Sequence, residues 1–513
     1  MIIDARQLPD GSQLKAKLCI IGGGMAAIAI ARELKDEGAD ILILESGGEA
    51  AAPDVQALYN GRGSMTDPDG RVRDMTTYLP SSRIRAFGGS GHVWGGKCGP
   101  LDPSDFQARS WIPGSGWPFD RAHLDPFYDR ASEHLGLPSF AKDLIGGDAT
   151  RPAFAVGDGS EFETVPRFHS KVSGVQSKEK FDAYRYSITT SPRVTVCLSA
   201  NVTQIELTAD GRAVRGLEVR TLDGKTHRAV ADQYILATGG MENARVLLLS
   251  NRVAKKGIGN DNDLVGRYFC GHLNASLDEG DKGKTSGFAM AAARQSFDLY
   301  TTYDINKVWG IWHSTTRMQR RERLPNAWIA FQGQWYDRTA EERGVLRLAQ
   351  AMNGEPESTK SDFIPLRIMT EDLPNPRSRL TLDAEARDAL GQARLVLDWR
   401  LSEGQYDGMA RTMARLAGAL SAAGAGRIRW PLPREKMLSQ LSPARHHVGT
   451  TRMSTDRAHG VVDEHCRVHR LANLHIAGSS VFPTSGIVNP TLTIIALAVR
   501  LADRLRPQMR RAA

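Results

Sequence analysis

The sequence predicts an α/β protein in which a parallel sheet with covered faces is joined to a region built on an antiparallel sheet. Three observations predict it. Short, apolar, β-branched runs at 17–21, 41–44, 194–198 and 233–236 read as strands covered on both faces, hence as one parallel sheet. A glycine-rich stretch follows the first run directly and opens a helical pattern. Between about 274 and 440 the texture changes to aromatic-rich stretches and then to alternating runs at 378–382 and 393–399, which read as an antiparallel sheet.

The bulk properties bound the rest. With 513 residues, 41% hydrophobic and 24% charged, the chain is long enough for more than one core, and two interleaved domains are expected. Its 66 basic and 58 acidic residues leave a formal charge of +8, part of it in a tail with Arg506, Arg510 and Arg511. No basic stripe or nucleic-acid motif accompanies that charge, so it reads as a solvated surface without a nucleic-acid partner. Cys19, Cys98, Cys197, Cys270 and Cys466 are odd in number, far apart and free of C-x-x-C pairing. They outline no disulfide framework, zinc or other metal site, or haem attachment, and fit a reducing compartment. The apolar run 18–31 is broken by three glycines and lacks the flanks of a signal peptide, and no membrane span is found. A cytoplasmic location is expected, unless a partner exports the chain.

The glycine-rich turn is specific in its order. Strand 17–21 leads into Gly22-Gly23-Gly24-Met25-Ala26-Ala27, then a helix through Lys35 and a second strand ending at Glu45. Gly22 permits the tight turn, Gly24 lets the backbone approach a pyrophosphate at the helix N-terminus, and Ala27 is small enough for close helix–strand packing. Glu45 lies where a carboxylate accepts hydrogen bonds from a ribose with free hydroxyls. The motif predicts a dinucleotide and leaves NAD and FAD both open.

Further along, 406–422 carries apolar residues at helical spacing and ends in a glycine-rich stop at 423–426, and 491–505 is again helical. The aromatics Tyr300, Tyr303, Trp309, Trp312, Trp328, Phe331, Trp335 and Tyr336 have two readings. They could stack on a sugar face, or simply favour strands.

Three more segments complete a set. Residues 232–245 give a strand ending in Ala237-Thr238-Gly239 and then a helix; 83–96 include Phe87-Gly88-Gly89-Ser90-Gly91-His92-Val93-Trp94-Gly95-Gly96. The third combines His446-His447-Val448-Gly449 with the stretch 473–483 and Val488-Asn489-Pro490-Thr491. With these motifs, from residue 17 to about 505, the chain resembles the glucose-methanol-choline (GMC) oxidoreductase family. The 87–94 pattern, the stretch 371–382 and the double histidine look closer to bacterial sugar dehydrogenases and pyranose oxidases than to glucose oxidase or choline oxidase.

That resemblance implies a Rossmann-like FAD-binding domain assembled from discontinuous segments, 1–110, 191–273 and 441–513, with an antiparallel-sheet substrate domain from 111–190 and 274–440. It places Gly22, Gly24, Met25, Ala26, Glu45 and Ser46 at the ADP part of FAD, with Val202 near the adenine and Arg85, Ala237 and Gly239 also in contact with the cofactor. Gly478 and Ser479 fall by the pyrophosphate and ribityl chain. Gly89, Ser90, Trp94, Gly95 and Gly96 fall at the isoalloxazine. The implied reaction oxidises an alcohol to a carbonyl by hydride transfer to flavin N5, with a secondary ring hydroxyl of a sugar or glycoside as the expected donor and a 3-keto or 2-keto sugar as product. Oxygen, a quinone or a redox partner would reoxidise the flavin. A non-sugar alcohol, or a role as the flavoprotein subunit of a multi-subunit dehydrogenase, is the alternative; an NAD enzyme is disfavoured by the C-terminal motifs.

In the implied site His446 is the base, since histidine titrates in the range for proton transfer. Asn489 hydrogen-bonds the substrate oxygen and also caps a helix whose first residue is Pro490. The positive end of that helix, with Thr491, would face the flavin where charge accumulates on reduction. His447 is either a substrate contact or a packing residue. Some relatives attach FAD through a histidine immediately before the tryptophan. Here Val93 precedes Trp94 and His92 is one position early, so a non-covalent FAD is expected.

Overall fold

Strand Gln13–Ile21 shows why the parallel sheet forms. Its first half alternates between exposed and half-buried positions, while Leu18, Cys19, Ile20 and Ile21 are at most 2% exposed. Continuous burial of that kind needs cover on both faces, and each large side chain so buried contributes about 1.5–3 kcal/mol. In the computed structural model, which describes residues 1–137, 139, 161–276, 288–289, 309–331, 363–364, 366–422, 427–428, 434 and 441–510, the strand lies inside a parallel array. On one side it pairs with Ile41–Leu44, then Val194–Leu198, then Ile2–Asp4. On the other it pairs with Thr226–Leu236. The far edge of Thr226–Leu236 is shared: an antiparallel meander of Val214–Arg220 and Asn201–Leu207 takes its first half, and Leu474–Ile476 runs parallel to Tyr234–Leu236. One sheet therefore draws strands from both ends of the chain, as the discontinuous Rossmann-like fold requires.

Helix Met25–Leu34 buries eight of its ten residues, four of them alanines that let it lie close to the sheet. It packs against Thr491–Met509, which also packs on Arg121–Leu135. The C-terminal helix thus locks the glycine-rich turn from behind, and it runs four residues past the expected end at 505.

The antiparallel sheet has seven strands in the order Leu441–Pro443, His272–Ser276, Leu366–Glu371, Ala327–Phe331, Trp309–Ser314, Phe162–His169 and Lys97–Cys98. The runs expected at 378–382 and 393–399 are strands, Arg379–Arg387 and Ala393–Arg400, but they do not join it. They form a separate four-stranded sheet with Gly61–Thr66 and Val72–Asp74, in which Ala393–Arg400 runs parallel to Gly61–Thr66. The alternation gives the reason: Leu395, Leu397 and Trp399 share one buried face, and that face needs its own cover. Helix Glu403–Ala422 contains the helical run expected from 406. Its glycine-rich stop at 423–426, and Tyr300, Tyr303, Trp335 and Tyr336, lie outside the described residues. All five cysteines are buried and unpaired, and no helix among the described residues is long and apolar enough to cross a membrane.

Candidate active site

Four strands of the parallel sheet end at one place. Ile21 runs into Gly22, Leu44 into Glu45, Leu236 into Ala237 and Ile476 into Ala477, and Gly22, Glu45, Ala237 and Ala477 line a cavity of about 560 Å³. A crevice at the carboxyl ends of parallel strands is where such folds bind ligands, and the volume is of cofactor size.

The turn is shaped by sterics. Gly22 has φ +97°, and a Cβ there would lie 2.7 Å from the Ala237 carbonyl oxygen. Gly24, the cap residue of helix Met25–Leu34, has no atom within 4 Å of a built Cβ, so its backbone is open to the cavity. Glu45 is buried; Oε2 accepts from the Gly23 amide at 2.8 Å and Oε1 from the Gly47 amide at 2.7 Å. Oε1 also accepts from the Ser46 hydroxyl at 3.3 Å, so it is Oε2 that keeps a lone pair for a further donor. Trp94, on the same wall, has a buried indole N–H without a partner among the described residues. Asn201, beside Val202, has a buried side-chain oxygen in the same condition. An open helix N-terminus, an anchored carboxylate and orphaned polar groups fit the diphosphate, ribose and heterocycles of a flavin dinucleotide.

Most of the expected cofactor residues line this cavity: Gly22, Gly24, Met25, Ala26, Glu45, Ser46, Arg85, Gly89, Ser90, Trp94, Gly95, Val202, Ala237, Gly239, Gly478, Ser479 and Thr491. Gly96 does not. It has φ +81°, and a Cβ there would meet the Ser170 carbonyl oxygen at 2.6 Å, so it shapes a turn against 170 and leaves the wall to its neighbours. Arg85 is on the wall, but its guanidinium bonds Glu242 at 2.8 Å and stacks on Tyr59. Burial alone would raise the Glu242 carboxyl; Arg245, Arg85 and Arg83 instead pull it down to about 2.

The opposite end of the cavity brings His446 and Asn489 together. Residues 444–448 run beside 270–272, with Ala444 N–H on the His272 carbonyl and paired bonds between Cys270 and Val448. The loop before Asn489 is pinned by two tryptophans: Trp117 donates to Thr484 Oγ1 at 3.1 Å and Trp328 to the Ile487 carbonyl at 3.1 Å. His446 Nε2 then lies 3.0 Å from Asn489 Nδ2, and His446 Nδ1 lies 2.8 Å from His272 Nδ1. Burial first, then His272, His447, Arg367 and Lys97, holds the His446 pKa well below the ordinary imidazole value.

One expectation changes in detail, and three others gain detail. The C-terminal helix begins at Thr491 with Pro490 as its cap residue, so Asn489 is one position too early to cap it, and its side chain turns to His446. His447 is on the wall, yet its ring stacks on Phe269 and its Nε2 meets the Tyr78 hydroxyl at 3.0 Å. Tyr78 donates its own proton to the Ala444 carbonyl, so His447 donates to Tyr78 and packs as a neutral ring. His92 is off the cavity wall, with Nε2 on the Phe87 carbonyl at 2.9 Å and its ring edge-on to Phe181. Trp312 and Trp328 are buried in the antiparallel sheet and do not line the cavity, which favours the strand-forming reading of those two aromatics.

Sequence reading missed His272, and also Lys97, Asn274 and Arg367, which line the cavity near His446. All come from strands of the antiparallel sheet, and none has a local motif; the pairing of His272–Ser276 with Leu441–Pro443 on one side and Leu366–Glu371 on the other brings His272, Asn274 and Arg367 to the site.

Comparison with known proteins agrees with this geometry. Residues 374–498 match the GMC oxidoreductase family model. The fructose dehydrogenase large subunit of Gluconobacter japonicus is 22% identical over 96% of this chain and 98% of its own length. The 6'''-hydroxyparomomycin C oxidase of Streptomyces lividus is 26% identical over 94% of this chain and 90% of its own. Among solved structures, pyridoxine 4-oxidase from Mesorbium loti superposes with a TM-score of 0.60 at 18% identity, covering 95% of this chain and 98% of that one. The matched C-terminal region carries both His446 and Asn489, and the cavity it closes has the fit of a flavin dinucleotide. Residues 374–498 are those of a GMC oxidoreductase, and the chain is an enzyme that takes FAD.

Proposed function

We propose that this enzyme oxidises a secondary ring hydroxyl of a sugar or glycoside to the ketone, giving a 3-keto or 2-keto sugar. The observation that carries the reading is the His446–Asn489 pair at 3.0 Å, at the end of the cavity remote from Glu45. Bound FAD supplies the two-electron hydride acceptor. His446 takes the hydroxyl proton on Nε2, and Asn489 orients the substrate oxygen beside it. A neutral imidazole is the competent form, and the buried setting keeps His446 neutral at ordinary pH. Lys97, Asn274 and Arg367 give this end a polar wall able to hold further hydroxyls. The sugar-directed names of two relatives that span nearly the whole chain support the donor class. In this reading the cofactor domain is drawn from 1–110, 191–273 and 441–513, the substrate domain from 111–190 and 274–440, and the protein works in the cytoplasm.

Anaerobic mixing with a panel of sugars, glycosides and simple alcohols tests the donor class. Bleaching of the flavin by a sugar or glycoside supports it, and bleaching by non-sugar alcohols alone refutes it. His446→Ala should keep FAD and slow that bleaching by at least ~100-fold, the usual worth of a general base. A near-normal rate would remove His446 from the mechanism. A second reading, a flavoprotein subunit that needs a partner, is favoured by the full-length match to a dehydrogenase large subunit. It predicts that the purified chain alone is not bleached by any donor, or is bleached but reoxidised by neither air nor a quinone.

A further inference from the structure

His446 is useful as a base only if its cavity-side nitrogen, Nε2, is the one without a proton. In water a neutral imidazole favours the opposite tautomer, with the proton on Nε2, so something in the fold must reverse the preference. Asn489 does not settle the matter alone, because its amide can turn either a donor or an acceptor toward the ring.

The other side of the ring does settle it. His272 is fully buried and lies off the cavity wall, on strand His272–Ser276. Its Nε2 is 3.1 Å from the Ser485 carbonyl oxygen, and a carbonyl can only accept. The His272 proton is therefore on Nε2, and its Nδ1 carries a lone pair. That lone pair lies 2.8 Å from His446 Nδ1, with the two rings edge-to-face at 80°. His446 Nδ1 must donate, its Nε2 must be bare, and Asn489 must turn its N–H toward it. Every donor in the row Ser485, His272, His446, Asn489 then meets one acceptor.

We infer that His272 is a positioning residue, fixing His446 in the Nδ1–H tautomer by presenting a lone pair anchored on the Ser485 carbonyl. The inference rests on the reading of His446 as the base. Burial lowers the His272 pKa to about 4, which keeps its lone pair free over the working range. The charged and titratable groups facing the pair are Arg367, Lys97 and His447 around His446, and Glu371 beside His272, with Asp372 holding the adjacent Gly271 amide. The row also has a closed end. The Ser485 carbonyl takes no proton, so a proton accepted by His446 returns through the cavity and is not relayed into the core.

Nitrogen-15 NMR of the histidine-labelled holoenzyme at pH 8 reads the tautomer directly, with His446 assigned by its loss in His446→Gln. The expected result is a protonated-type Nδ1 and a bare-type Nε2. The reverse pattern in the wild-type protein overturns the inference without any variant. His272→Leu removes the lone pair, while His272→Asn restores an acceptor oxygen near the same place. In His272→Leu the His446 signals should shift toward the Nε2–H form and kcat should fall ~10–100-fold with KM within about threefold, since a wrong tautomer idles the base. In His272→Asn most of both should return. An unchanged His446 tautomer in His272→Leu, or equal losses in both variants, refutes the positioning role. Normal bleaching by His446→Ala would instead refute the base itself, whatever the tautomer.

Discussion

At one end of the cavity the wall is backbone, and at the other it is side chains. The Gly22–Gly24 turn and the amides that hold Glu45 come from one stretch of about 25 residues, and their geometry follows from where a Cβ can and cannot go. The His446 end takes single side chains from the 272, 446 and 489 regions and one carbonyl from 485, and its geometry follows from which nitrogen can donate to which acceptor. The first kind of site is a property of local conformation. The second exists only once two sheets and the C-terminal loop have docked. Damage should differ accordingly: sterics at the turn should cost the cofactor, whereas changes at the histidines should cost rate while the cofactor stays.

The largest effect that would break this contrast lies at Gly22. Gly22→Val combines a φ of +97° with a Cβ only 2.7 Å from the Ala237 carbonyl oxygen, and Ala237 is itself on the cavity wall. Strain of that kind costs on the order of 3 kcal/mol, about a hundredfold in affinity, before the clash is counted. The variant should purify colourless. Gly11→Ala is the control, because Gly11 has φ +78° with nothing near its Cβ and does not line the cavity. It should stay yellow with a slightly lower Tm. A yellow Gly22→Val protein of wild-type stability would show that the turn does not grip the cofactor.

The same contrast explains what the sequence made legible. The Gly22, Gly24 and Glu45 spacing could be read because each residue answers to a constraint within its own strand–turn–helix unit, and the strand runs at 17–21, 41–44 and 194–198 could be read because double cover leaves no polar alternation. His446 and Asn489 were reached through family motifs, and their contact with each other was not visible in spacing. His272 could not be reached at all, since its role depends on the register that sets Leu273 opposite Pro443. The strands Arg379–Arg387 and Ala393–Arg400 were found but assigned to the wrong sheet, because alternation reports a half-buried strand and not its neighbour. Asn489 was read as a cap from its Asn-Pro pair; the side chain had a better partner in His446 Nε2.

A smaller effect would sharpen the histidine half of the comparison. Burial, then the surrounding rings and cations, lowers the His446 pKa, so the neutral base persists as pH falls through the ordinary imidazole range. The rate of anaerobic flavin reduction should change less than about twofold between pH 7.5 and 5.5, where a histidine with an unperturbed pKa near 6.5 would lose about tenfold. A tenfold acid-side loss centred near 6.5 would mean that solvent reaches His446 freely.

The smallest effect is expected at His92, which lies between the wall residues Gly91 and Val93 and is itself off the wall. Its Nε2 is taken up by the Phe87 carbonyl and its ring by Phe181, and burial lowers its pKa. A ring held that way has its Nε2 engaged and stands off the cavity wall, which Val93 and Trp94 occupy instead. Acid precipitation should therefore release the yellow colour into the supernatant, and His92→Ala should keep FAD with kcat within about threefold of wild type, losing at most the ~1 kcal/mol of one hydrogen bond in stability. Colour that stays with the precipitate, and disappears from it in His92→Ala, would show that the loop can turn outward. In that case the cofactor half would also depend on a single side chain, and the division between a backbone-built end and a side-chain-built end would fail at this position.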